Sequence, residues 1–269
     1  MSKHPTHYRF KASTSLEHCD TLPAELMHLD EQDCAEMTLS LGERLNKLQL
    51  LLHASRSHGL LVVLQGMDTS GKDGVIRHVF RHVSPLGVRA EAFGAPTPEE
   101  LSHDFLWRVH SKTPARGEMV VFNRSHYEDV LVARVRNLVP TPIWKARYEH
   151  IRHFEALLHD ADILVVKFML HISKNEQKKR LQARMDDPHK RWKLQASDFV
   201  DRERWSDYQQ AYHDAMRHTD TVDAPWYVIP ADSKPHRDVL IAQTLVETLE
   251  DMKLKPPESD FDPRSVTLR

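Results

Sequence analysis

Between residues 33 and 55, apolar side chains recur at Met37, Leu41, Leu45, Leu48 and Leu52. Steps of three and four place them on one face of a helix. Gly59 then leads into Leu60-Leu61-Val62-Val63-Leu64, a short unbroken apolar run. Such a run reads as a strand buried on both faces. A glycine-containing turn follows, and then a helical stretch from Lys72 to about His82. The alternation continues down the chain. Val88–Phe93, Met119–Phe122, Ile163–Met169 and Trp226–Ile229 read as strands. Helices are predicted over Pro98 to about His110 (Leu101, Phe105 and Val109 on one face), Tyr127–Leu138, Trp144 to about His159, and Arg237–Met252.

Five short strands separated by helices imply an α/β fold, with a parallel sheet and helices on both faces. Residues 1–32 are polar, contain Pro5 and Pro23, and show no sustained period. They are expected to form an N-terminal arm that packs on the body or on another subunit. The main domain is expected over 33–255, and a mobile C-terminal tail over 256–269. More than fifty mostly polar, helix-prone residues separate the last two strands. A simple crossover needs far fewer, so about 171–220 is a candidate lid.

Composition narrows the class. The 269 residues are 40% hydrophobic and 28% charged, as in a globular protein. The net charge of −2 supplies no global field for a polyanion, so any anion site must come from local clustering. The apolar runs are too short to span a bilayer, and MSKHPTHYRFK has no apolar signal core. Cys19 and Cys34 fit no metal or redox spacing and read as reduced thiols of a cytoplasmic protein. Most of the 19 histidines are expected to face solvent.

The strongest chemical signal is Gly66-Met67-Asp68-Thr69-Ser70-Gly71-Lys72-Asp73-Gly74. It contains G-x-x-x-x-G-K between a buried strand and a helix, the context a phosphate-binding loop requires. Glycines let several N–H groups converge on one phosphate, the helix N-terminus adds positive potential, and Lys72 adds a full charge. Asp73 occupies the place of the usual Mg²⁺-binding Ser or Thr. Asp68, inside the loop, is the candidate replacement, because a carboxylate among phosphate-binding amides needs a cation beside it.

A second signal is Val120-Val121-Phe122-Asn123-Arg124-Ser125. Asn123 ends a strand where such enzymes place a metal-associated acid, and Arg124 could hold an oxygen of a transferring phosphoryl group. Glu128 and Asp129 could equally be first-turn acids that compensate a helix dipole. A third signal lies between Lys174 and Lys193, where eight Lys/Arg oppose three acids. Arg180 and Arg184 share a helix face there, and Lys190, Trp192 and Lys193 follow Pro188. Arg77, His78 and Arg81 add cationic surface beyond the loop. That much charge suits a long polyanion. Nucleic acid is disfavoured, because no recognition-helix, RNP or zinc-finger pattern is present.

Taken in order, Gly66–Gly74, Phe93-Gly94-Ala95-Pro96-Thr97-Pro98-Glu99-Glu100-Leu101, Phe122-Asn123-Arg124-Ser125-His126-Tyr127-Glu128-Asp129, Asp187-Pro188-His189-Lys190-Arg191-Trp192-Lys193-Leu194 and Asp223-Ala224-Pro225-Trp226 resemble the polyphosphate kinase 2 family. The resemblance covers roughly residues 35–250. Asn123 and His126 make it similar to class III, where class I has F-D-R-S-W-Y. The resemblance implies a three-layer α/β/α fold like that of thymidylate kinase, with a helical lid. It also implies reversible phosphorylation of AMP and ADP by inorganic polyphosphate, Mg²⁺ or Mn²⁺ as the ion, and a homo-oligomer, often a tetramer.

The residues expected to act are Asp68, Lys72, Asn123 and Arg124 in catalysis, with Asp68 at the metal. Gly66, Thr69, Ser70, Gly71, Lys72, Asp73, Gly74, Arg77 and Arg81 are expected on phosphates. Arg180, Arg184, Lys190 and Lys193 are expected on the lid, and Glu128 and Trp192 on the nucleotide. The alternatives are an ATP-dependent kinase of thymidylate kinase type and a non-catalytic polyanion-binding module.

Overall fold

The central strand, β1 (Gly59–Gln65), is buried along its whole length, as its unbroken apolar run requires. The computed structural model describes residues 8–258 and Ser265; the first seven residues of the expected arm and most of the expected tail lie outside the described residues. Around β1 stand β2 (Val88–Ala92), β3 (Met119–Asn123), β4 (Ile163–His171) and β5 (Trp226–Pro230). The sheet runs β2-β3-β1-β4-β5, and every pairing is parallel. The chain fills one side of β1 before crossing to the other. The sheet therefore changes its direction of growth at β1, where open α/β sheets bind ligands at the strands' carboxyl ends.

Strand alternation divides the core in two. Leu61, Val63, Val120, Phe122 and Val165 face one layer, built with α6 (Thr141–Asp160) and α9 (Trp205–Thr219). Leu60, Val62, Leu64, Val121 and Phe168 face the other, built with α1 (Glu31–Ser55), α2 (Lys72–Val79) and α10 (Lys234–Asp251). The expected three-layer α/β/α architecture is therefore present.

Asp30 starts α1 by accepting from Asp33 N at 2.8 Å, and the Asp33 side chain reciprocates on the Asp30 N–H. Its buried seam runs Cys34, Gly42, Leu45, Gln49 and Leu52. Met37 is exposed, contrary to expectation. Each step of four over-rotates by about 40°, so Met37, two such steps before Leu45, lies on the flank.

Two expected helices are broken. Pro98–His110 divides into α3 (Pro98–Ser102) and α4 (Trp107–His110). A Thr97–Glu100 capping box opens α3, extended His103 ends it, and Asp104 accepts from Leu106 N in the connecting turn. Leu101 is consequently exposed. Tyr127–Leu138 becomes a 3₁₀ turn (His126–Asp129) and α5 (Val132–Val135). Here Tyr127 is pulled inward. Its hydroxyl donates to Glu155 at 2.8 Å and accepts from Lys167 at 3.0 Å, and Lys167 is itself buried against Glu155 at 2.5 Å.

The arm's described part adds an antiparallel bridge, Arg9 to Tyr227, at the edge of β5 and buries Phe10 and Leu16. Within the insertion stand α7 (Lys174–Asp186), a 3₁₀ turn (Arg191–Lys193) and α8 (Ala196–Glu203). The last helix of that range, α9, places Tyr208, Ala211, Tyr212, Ala215 and Met216 in the core, so it is a layer of the body.

Candidate active site

The loop between β1 and α2 closes through backbone that glycine tolerates best. Gly66 and Gly71 have φ of 147° and 104°. A Cβ on Gly71 would lie 2.0 Å from the Arg237 guanidinium, so the glycine also admits that side chain. Thr69 (φ 66°) and Arg124 (φ 62°) are non-glycine residues in the same left-handed region. Held strain of this kind concentrates at functional sites.

Polar groups converge inside the loop. Backbone N–H groups of Asp68, Thr69, Gly71, Lys72 and Asp73 have no protein acceptor among the described residues. The buried hydroxyls of Thr69 and Ser70 also lack a partner among the described residues. With the N-terminus of α2, they form a concave array of donors suited to a phosphate. Lys72 lies across it, donating to the Gly66 and Met67 carbonyls at 2.7 and 3.3 Å. Burial, aided by nearby Arg124, pushes its ammonium down to about 8.

The β3 end faces this array, because Leu64 and Asn123 are in register. Arg124 meets Asp68 at 2.6 Å and Glu128 at 3.6 Å. Glu128 and Asp68 hold the guanidinium charged against the opposing effect of burial. Burial raises the Glu128 carboxyl, and Arg124 and Lys72 pull it back. Asn123 donates to Asp73 at 2.8 Å, and Lys193 reaches the other Asp73 oxygen at 3.4 Å. Burial alone would raise the Asp73 carboxyl, but these two donors hold it below its ordinary value. Among the described residues, no three His, Cys, Asp or Glu side chains converge to hold a metal. Asp68 and Asp73 are the carboxylates on the loop itself, each already facing a cation.

The sequence candidates divide into three groups. Asp68, Lys72, Asp73, Asn123, Arg124, Glu128 and Lys193 meet at the loop. Arg77 is exposed on α2 and Arg81 is exposed in the turn that follows it, and neither side chain makes an ion pair or hydrogen bond among the described residues. Half-buried Arg184 likewise makes no hydrogen bond or ion pair there. On the surface beyond, Lys190 pairs with Asp187 at 2.7 Å, and Trp192 is 77% exposed, its ring N–H bonded to its own turn at His189 O.

Arg180 differs from the expectation. It is buried, and it donates to the carbonyls of Thr69, Ser70, Ala231 and Asp232 at 2.6–3.1 Å. Its Nε donates to Glu176 at 2.9 Å. The guanidinium sits behind the loop, not over its mouth. Asp129 is also committed, held by Arg147 at 3.2 Å with Arg108 at 3.9 Å.

Comparison with known proteins agrees with this geometry. The family model polyphosphate kinase 2 (PPK2) matches residues 28–257. The chain belongs to the polyphosphate kinase 2 family. An AMP/ADP-polyphosphate phosphotransferase from Meiothermus ruber is 54% identical over 86% of both chains. An ADP-polyphosphate phosphotransferase from Rhodopseudomonas palustris is 44% identical over 81% of this chain and 79% of that one. The crystal structure of polyphosphate kinase 2 from Arthrobacter aurescens TC1 superposes with a TM-score of 0.93 at 40% identity, covering 98% of this chain and 95% of that one.

For this family member, several residues at the site carried no sequence signal. Arg237 and Gln177 reach the loop from α10 and α7, donating to Ser70 O at 3.3 Å and Asp68 O at 3.2 Å. Gln65 is likewise without a signal, and it lies buried against Ser125 of the second motif, their side chains 3.1 Å apart. Lone polar residues in amphipathic helices and strand ends look the same whether they face solvent or a loop.

Proposed function

We propose that this chain transfers the terminal phosphoryl group of inorganic polyphosphate to AMP and ADP, giving ADP and ATP, and that the reaction is reversible. The observation that carries this reading is the 54% identity to the Meiothermus relative of that name. AMP as an acceptor beside ADP is what the resemblance to class III, carried by Asn123 and His126, implies.

The attacking oxygen belongs to the acceptor's terminal phosphate and is already ionised near neutral pH. It forms a new P–O bond while the bond to the next polyphosphate oxygen breaks, and that oxygen keeps the electron pair. No strong base is needed, so the work is alignment and charge neutralisation. In this reading the loop amides, the Thr69 and Ser70 hydroxyls and Lys72 hold phosphate at the transfer point. Arg124 leaves Asp68 to neutralise the transferring group. Arg184, Lys190 and Lys193 close from the lid, Arg77 and Arg81 continue the polyphosphate track, and Glu128 and Trp192 lie toward the nucleotide.

A kinase Mg²⁺ is held by one or two carboxylates plus phosphate oxygens and water. The loop fits that demand, with Asp68 as the ligand and Asn123 near it; Mn²⁺ is an alternative. The ion would neutralise charge between the phosphates. We also propose that the protein is cytoplasmic and a homo-oligomer, a tetramer as its family resemblance implies; no helix among the described residues is long and apolar enough to cross a membrane.

The test is incubation of purified protein with AMP, Mg²⁺ and long-chain polyphosphate, without ATP, followed by chromatography. ADP and then ATP are expected. Phosphorylation of ADP but not AMP would overturn the acceptor assignment. No product until ATP is supplied with another acceptor would overturn the donor.

A further inference from the structure

Five consecutive carbonyls of the phosphate loop, Gly66 to Ser70, each accept a side-chain hydrogen bond. Lys72 serves the first two, Gln177 serves Asp68, Arg180 serves Thr69 and Ser70, and Arg237 adds a second donor to Ser70. In a planar trans peptide the carbonyl of one residue and the N–H of the next point to opposite sides. Tying down the Met67, Asp68 and Ser70 carbonyls therefore aims the N–H groups of Asp68, Thr69 and Gly71 the opposite way, and these three belong to the phosphate cradle. Two of the four donors, Gln177 and Arg180, come from α7, the first helix of the insertion.

We propose that Gln177 and Arg180 are positioning residues that hold the phosphate loop in its anion-receiving form, and that the first part of α7, Lys174–Leu181, belongs to the loop's support, not to the moving lid. This rests on the assignment of the loop to polyphosphate. A guanidinium has five N–H donors. Arg180 makes five bonds, to Glu176, Thr69, Ser70, Ala231 and Asp232, and is buried. It has no donor left for a substrate, and it couples the loop to the segment after β5. Gln177 is fully buried, and its amide oxygen accepts from Arg202 at 2.9 Å. Arg202 also bonds Lys174 O at 2.7 Å, so α8 braces the same helix. At the start of α7, Ser173 N donates to Asp232 at 2.7 Å. The start of α7 is therefore tied to the body from both sides.

The test compares Arg180→Lys and Gln177→Leu with the wild type. Lysine keeps the charge but cannot reproduce the five-bond fork; leucine keeps the volume of Gln177 and removes its one loop bond. Thermal midpoints establish folding. Amide hydrogen exchange over residues 66–74 and steady-state kinetics with polyphosphate and ADP follow. Exchange of the loop peptide is expected to rise while peptides from β1 and α10 keep wild-type rates. The kcat/KM for polyphosphate is expected to fall by about tenfold to a hundredfold while KM for ADP holds. Should Arg180→Lys fail to fold, Gln177→Leu carries the same comparison. Wild-type loop exchange with wild-type kcat/KM would overturn the proposal, as would a uniform rise in exchange with both substrates' KM rising together. The exchange comparison needs no substrate, so an inactive wild type would defeat the polyphosphate assignment and leave the loop result standing.

Discussion

Lys72 is a cation that burial works against. Its ammonium is buried beside Arg124, and its pKa is pushed down to about 8 from an ordinary 10.5. The charged form is therefore present below that value and lost as pH rises through it. Polyphosphate needs the charge, so affinity at fixed ionic strength should weaken between pH 7 and pH 9, by up to about tenfold per pH unit above the pKa. Titration calorimetry of the wild type beside Lys72→Met checks this, and the variant should lack that component of the pH dependence. At this scale the sequence was most informative where chain geometry is restrictive. A loop with Gly66, Gly71 and Lys72 has few ways to close, so Asp68, Lys72 and Asp73 were legible before Arg237 was. Arg180 shows the converse. A run of charges gives the sign of a surface but not the direction each side chain takes, and this guanidinium turned to the carbonyls behind the loop.

Elements were legible where burial is uniform and less so where a single side chain decides. Four of the five strands follow from apolar runs, because a parallel sheet covered on both faces demands them; β2, Val-Arg-Ala-Glu-Ala at the sheet edge, alternates and is only partly buried. The helices expected from Pro98 and Tyr127 are divided because Asp104 and Tyr127 satisfy local or buried polar bonds that periodicity does not register. The insertion divides in the same way. Its first helix is tied to the phosphate loop and its last is core, leaving Asp187–Gln195 as the stretch whose described contact with the loop is the Lys193–Asp73 pair. Polyphosphate should therefore slow amide exchange in residues 187–195 and leave Lys174–Leu181 near its unliganded rate. Equal slowing across both segments would show the insertion moving as one body.

Over the whole molecule the charge balance is close to zero, at −2. Attraction for a polyanion must then come from local cations: Lys72 and Lys193 at the loop, Arg184 and Lys190 on the insertion, and Arg77 and Arg81 along and after α2. Counterion release makes such binding steeply salt-dependent, by roughly three-hundredfold between 50 and 200 mM salt for about six contacts on a single-stranded polyanion. Binding isotherms over that range should show the slope, and replacing Arg77 and Arg81 together by Gln should flatten it without altering the fold. A salt-independent affinity would remove the basic track from the account.

The measurement that bears most directly on the central claim is phosphoryl transfer from polyphosphate to ADP by Lys72→Met, run beside the wild type. Methionine fills the buried site without its charge, so the variant should fold with an unchanged or higher thermal midpoint. Its kcat/KM should fall by about a hundredfold to a thousandfold, as for loss of a charge-stabilising donor at a reacting group. A folded variant that turns over at the wild-type rate would contradict the assignment of this loop as the place where phosphate is transferred.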